Sequence, residues 1–271
     1  SVLIDALAGS LTANADVLSG TGHITMKAGT SIDLTTNVDV TTGTPGTVSL
    51  DAETGALTMA ADAVVTATDS SVRLAASGNL TLGKVVADDV SVVSAAGSII
   101  NGGATIPNVS AVNLRLSAAG AIGANTNHVT IAVDTLTAAS AGTSGAGIYL
   151  TESNTVTVDT VSVTVRDFTA TATTVPVTDA SQSDLVTSAA NGNIVLVATT
   201  GNITLNDGTD VASPFEDNTD GKAVSAHGTG SVLIDALAGS LTVNADISST
   251  SGHLTLKAGT SMDLTATVDV S

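Results

Sequence analysis

The stretch SVLIDALAGSLTANADVLSGTGHITMKAGTSIDLTTNVDV, Ser1 to Val40, returns as SVLIDALAGSLTVNADISSTSGHLTLKAGTSMDLTATVDV from Ser231 to Val270, an offset of 230 residues. Of the 40 aligned positions ten differ, and five of those exchange one apolar residue for another: Ala13/Val243, Val17/Ile247, Ile24/Leu254, Met26/Leu256 and Ile32/Met262. Such positions face a core that responds to volume and polarity more than to identity. A period this long marks an array. Residues 1–230 read as one long unit and residues 231–271 as the opening of the next, continuing the same structure, so the chain is expected to be a window onto a longer protein.

A shorter rhythm runs inside the long one: GSLTANA at Gly9, GHITMKA at Gly22, GTVSLDA at Gly46, GNLTLGK at Gly78, GNIVLVA at Gly192 and GNITLND at Gly201. Alternation at period two places Leu11, Ala13 and Ala15, or Ile24, Met26 and Ala28, on one face, with Thr12, Asn14, Thr25 and Lys27 on the other. These are short, half-buried strands bounded by glycine turns. No segment shows a helical period. The predicted core comprises Leu11, Ile24, Met26, Ile32, Leu34, Val48, Leu50, Leu57, Leu80, Leu82, Ile194, Leu196, Ile203 and Leu205.

Two all-β architectures meet these constraints, tandem β-sandwiches and a solenoid. Composition separates them. The chain has one Tyr, two Phe and no Trp or Cys, so neither aromatic packing between sheets nor disulfides can hold a thick interior. A parallel β-helix stacks Val, Leu, Ile and Ala in a thin core, and this is the predicted fold, at roughly 20 residues per rung and on the order of eleven rungs per unit. Two stretches break the rhythm. Residues 147–187 lose the turn glycines, with a change of parity near Asp159 and Thr160 that suggests a corner or bulge, and read as an irregular rung set or a lateral hairpin. Residues 206–230 read as a long excursion from the stack.

At GHITMKAGTSIDLTT, GNLTLGK, GNIVLVATTGNITLNDG and SVLIDALAGSLT the chain resembles the repeat regions of filamentous-haemagglutinin-like exoproteins, giant bacterial surface proteins. The resemblance implies a right-handed parallel β-helix, an extracellular location and a role as a stalk or adhesin.

Twenty-five acidic residues against seven basic ones give a formal charge of −18, which repels nucleic acid and anionic lipid. No run is long and apolar enough for a membrane helix. Neither class of partner is expected, nor membrane insertion. No G-x-S-x-G, H-E-x-x-H, P-loop or G-x-G-x-x-G motif occurs, and the basic residues are scattered singly, so no catalytic residue and no enzyme activity is assigned. Asp207, Asp210, Asp217 and Asp220 supply hard oxygen ligands in one stretch and form the candidate Ca²⁺ loop, a solvated acidic loop being the alternative. His23, its copy His253, His128 and His227 read as exposed turn residues, because nothing in the spacing converges them on a metal. Asn79, Asn193 and Asn202 each follow a turn glycine and read as a side-chain amide ladder. The expected function is a structural repeat of an extracellular fibre that associates with itself head to tail, with lateral bundling. The alternative is an adhesin module in which the two irregular stretches bind a glycan or cell-surface receptor.

Overall fold

The computed structural model describes residues 1–104, 107–142, 146–209 and 221–271. Among these residues there are 27 strands and no helix. All inter-turn pairings are parallel, and the chain winds into a β-solenoid of about eleven turns at roughly 23 residues each. The first turn shows the plan. Val2–Ala6 forms side one, Leu11–Ala13 side two and Val17–Ser19 side three. Each strand hydrogen-bonds the strand one turn later: Val2 to Ile24, Leu11 to Ile32, Val17 to Val40. A turn is longer than the expected 20 residues because it carries three strands and three corners, and the corners consume more residues than a two-residue turn.

Side chains of like kind stack along the axis. On side one the inward series runs Val2, Ile24, Val48, Val72, Val90, Leu114, Leu136, Val158, Leu205, Val243 without a break. Burying such a column removes each β-branched or leucine side chain from water at about 1.5–3 kcal/mol apiece. Every predicted core residue is inward and at most 8% exposed. Ala15 is the exception to the predicted face: it is exposed, because the strand ends at Ala13 and Ala15 belongs to a corner. Corners demand glycine where the chain turns left-handed against the turn before. Gly201 has φ +76°, and a Cβ there would press on the backbone of Thr155.

The two copies of the 40-residue motif do not lie on the same sides. Val232, the copy of Val2, is reached from Leu11 through Ile32, Leu57, Leu80, Ile99, Ile122, Ile148 and Ile194. Ala236, the copy of Ala6, lies on the column that begins at Val17. The strand Val232–Ala236 thus spans sides two and three, while Leu241–Val243 and Asp246–Ser249 share side one.

Candidate functional surface

The break in rhythm at residues 147–187 is a lateral hairpin let into side one. Val156–Val158 pairs with Thr135 and Leu136, and Leu185–Thr187 pairs with Ala138 to Ser140 on the same preceding strand. Everything from Asp159 to Asp184 therefore stands opposite the single residue Thr137. The antiparallel strands Val161–Phe168 and Thr174–Gln182 form this insertion. The predicted bulge at Asp159 and Thr160 is the exit point: the Thr160 amide donates to the Asp159 carboxylate, and Asn206 Nδ2 on the next turn donates to its other oxygen. A register shift does occur, just beyond, between Val161 and Val163.

The hairpin lies back along the solenoid towards the N-terminus, over the outward column Thr25, Ser49, Arg73, Ser91, Arg115 and Thr137, one residue from each of six consecutive turns. Eight residues of strand span about 27 Å, and five inter-turn steps about 24 Å, so the lengths match. Val161, Val163 and Val165 are buried on this platform. Polar groups fix the register. The Phe168 amide donates to Thr25 Oγ1 at 2.8 Å, Arg73 Nε donates to both Asp179 oxygens at 3.1–3.2 Å, and Arg115 Nε donates to the Ala180 carbonyl at 3.0 Å. Gln182 Nε2 donates to the Leu116 carbonyl and to Thr137 Oγ1. Lys27 bridges Asp167 at 2.8 Å. That hydrogen-bonded pairing raises the Lys27 pKa above its ordinary value, outweighing the opposite effect of burial. Thr25, expected to be solvent-facing, is fully buried because the hairpin covers it.

The outward column that carries Thr12, Asp33, Thr58 and Thr81 on the first turns carries Tyr149, Val195 and Leu233 on three later successive turns. A parallel row of Asn193, Ser231 and His253, with Asn125, completes a shallow groove of about 300 Å³. Asn193 is held from both ends: its Nδ2 donates to the Tyr149 hydroxyl at 3.3 Å, and its Oδ1 accepts the Ser231 amide at 2.8 Å. The groove has one apolar wall and one wall of amide, hydroxyl and imidazole groups.

Glu152 occupies an inward position between Ile131 and Ala198 and is fully buried. The strand Ile148–Glu152 ends there, so Val133 has no residue of that strand opposite it. The Glu152 carboxylate takes the Val133 amide at 3.1 Å, together with the amides of Ser153 at 2.6 Å and Asn154 at 2.9 Å. Burial dominates these three favourable bonds and pushes its pKa up to about 7. Sequence reading gave no sign of it, since a lone Glu at a strand end looks solvated.

The remaining expectations fare unevenly. Of the candidate Ca²⁺ loop, Asp207 is half-buried, whereas Asp210, Asp217 and Asp220 lie outside the described residues with the rest of 210–220; within the 206–230 stretch, Lys222–Ala226 is a strand of the stack. Among the described residues no group of three or more His, Cys, Asp or Glu side chains is placed to hold a metal. His227 and His253 are exposed, but His23 and His128 are half-buried. The Nδ1 of His23 accepts the Thr47 amide at 3.1 Å, and burial, followed by the nearby Arg166 charge and the N-terminal amine, lowers its pKa. His128 meets Thr151 Oγ1 at 2.9 Å and tilts against the Tyr149 ring, its pKa lowered by burial. Asn79, Asn193 and Asn202 do not stack on one another. Each amide oxygen instead accepts the backbone N–H of a serine on the next turn, Ser98, Ser231 and Ser240 respectively.

These features define a parallel β-solenoid repeat protein with a lateral hairpin. No protein-family model, curated protein or solved structure matches the chain.

Proposed function

We propose that the chain is a structural repeat of an extracellular bacterial surface fibre, a stiff stalk without catalytic activity, built on the plan of the filamentous-haemagglutinin-like exoproteins. The observation that carries this reading is the unbroken side-one column from Val2 to Val243. A stack that contacts only its neighbouring turns has no intrinsic length limit, and copies of the motif extend it by the same pairing. Self-association is then head-to-tail continuation of the ladder, and like fibres bundle laterally. Immunogold labelling of producing cells with an antibody against the hairpin tip Thr169–Thr173 tests it. Label along filaments outside the cell supports the fibre; label confined to the interior overturns it.

The adhesin reading is favoured by a different observation, the groove beside Tyr149. An apolar wall facing amide and hydroxyl groups suits a pyranose ring, whose faces are apolar and whose rim is polar. Binding of monosaccharides by the isolated chain, lost in Leu233→Lys, supports this second reading, and no binding to a broad glycan panel rejects it. The chain has no Trp and a single Tyr, so tyrosine fluorescence reports on the groove alone.

A further inference from the structure

The displaced placement of the second motif copy fixes how units follow one another. Eight ladder steps carry Leu11 to Val232, and eight carry Val17 to Ala236. Val232 and Ala236 are the copies of Val2 and Ala6, which began on the other side of the same first turn. The 230-residue unit therefore closes after about eight and a half turns, not after the eleven that a 20-residue rung implies. The exchange of sides is visible around the hairpin: side one, a single five-residue strand at Val2–Ala6, becomes two short strands from Val156–Val158 and Leu185–Thr187 onward, and the five-residue strand moves to the opposite sides at Ile148–Glu152. The following turns keep that exchanged arrangement through Val232–Ala236.

We propose that consecutive units are set half a turn apart about the fibre axis, so that the lateral hairpin projects from opposite flanks in alternate units. This rests on the array reading above. Each hairpin docks on the side that carries its own unit's Val2–Ala6 strand, since its anchors Thr25, Thr47 and Arg73 stand on that side. In the second copy that strand, Val232–Ala236, faces the other way. At about 4.8 Å per turn, successive hairpins stand about 41 Å apart along the axis on alternating flanks, and those on one flank about 82 Å apart. A fibre built this way offers the same surface to partners on both flanks.

The chain has no native cysteine, so paired cysteines report the placement. Val195→Cys with Leu233→Cys, and separately Thr204→Cys with Thr242→Cys, join residues directly opposite on adjacent turns, at a spacing that a disulfide spans. Both pairs should oxidise within one chain. Ser225→Cys with Asp235→Cys, adjacent only if the second copy continued on side one, where Ser225 stands on the column that begins at Asp5, should not. Crosslinking of that last pair in place of the first two overturns the proposal. Residues 1–230 joined ahead of residues 1–271, with Thr171→Cys in both hairpins and gold on the thiols, then test the array. Two labels on opposite flanks about 41 Å apart along one lengthened rod are expected, and labels on the same flank overturn the alternation. If the disulfides form but no lengthened rod appears, the array reading falls and takes the alternation with it, while the half-turn placement of the second copy stands.

Discussion

Thr47 Oγ1 grips the backbone of Arg166 from 119 residues away, accepting its amide hydrogen at 2.9 Å and lying 3.3 Å from its carbonyl oxygen. Because the same hydroxyl is 3.1 Å from His23 Nδ1, a single side chain ties the hairpin to two turns of the solenoid. Thr47→Val keeps the shape and removes the acceptor, leaving the Arg166 amide short of a partner at a cost of about 1–3 kcal/mol. The Arg166 side chain is exposed, so trypsin reads local opening of the hairpin directly. Cleavage after Arg166 should rise roughly tenfold in the variant, as expected from about 1.4 kcal/mol. An unchanged rate means the hairpin is held elsewhere.

Ile24 is wholly buried between Val2 and Val48. Ile24→Asp places a carboxylate in a dry column, and neither neighbour in that column can pair with it. Destabilisation by about 4 kcal/mol or more is expected in a thermal or denaturant melt. A variant that melts with the parent would show that the assigned inward face is wrong.

Glu152 makes stability depend on pH in a direction opposite to that of most acidic residues. Its pKa is about 7 in the folded chain against an ordinary 4.5. As pH rises the unfolded chain gives up this proton first. Glu152 therefore contributes fully below about pH 4.5, progressively less up to about pH 7, and nothing more above that. The full swing is on the order of 3 kcal/mol. Glu152→Gln cannot titrate, so the wild-type chain should gain stability relative to the variant between pH 8 and pH 5. Melting temperatures that move in parallel across that range would refute the assignment.

The acidic stretch yields a prediction about ions. With a charge of −18, any salt should relieve repulsion, but a Ca²⁺ loop at Asp207, Asp210, Asp217 and Asp220 adds a specific part. Millimolar Ca²⁺ should raise the melting temperature above that in NaCl of equal ionic strength, and Asp→Asn at the four positions should abolish the difference. Equal melting in the two salts leaves screening alone.

Much of this architecture was legible in the chain itself, and the boundary of legibility has a physical cause. Period two and scarce aromatics identify a thin stacked core, which is why Ile24, Leu50 and Leu196 fall where they were expected. Alternation records which way a residue points, not what later covers it. Hence Thr25 reads as solvent-facing although the hairpin buries it, and alternation does not show that Asp167, on the underside of that hairpin, is buried and bonded to Lys27. The lost glycines between Gly147 and Gly192 located the insertion but could not show that it enters opposite Thr137. Glu152 was invisible because its partners are backbone amides. The half-turn displacement of the repeat depends on accumulated corner lengths, and a local motif does not encode a sum.

The account stands or falls on the chain being a one-dimensional stack that yields turn by turn. Force spectroscopy tests this most directly, with the chain held by cysteines at the exposed, equivalent positions Leu7 and Leu237. Since outside the hairpin each turn is bonded only to its neighbours and holds roughly 23 residues, extension should proceed in a train of short steps of about 75 Å once the hairpin has let go of the turns it spans. Larger release is expected where the turn carrying the hairpin gives way, between Val158 and Leu205, and at the following long turn, between Leu205 and Val243. Rupture in one or two steps of several hundred ångströms, as globular domains of about a hundred residues or more would show, would contradict it.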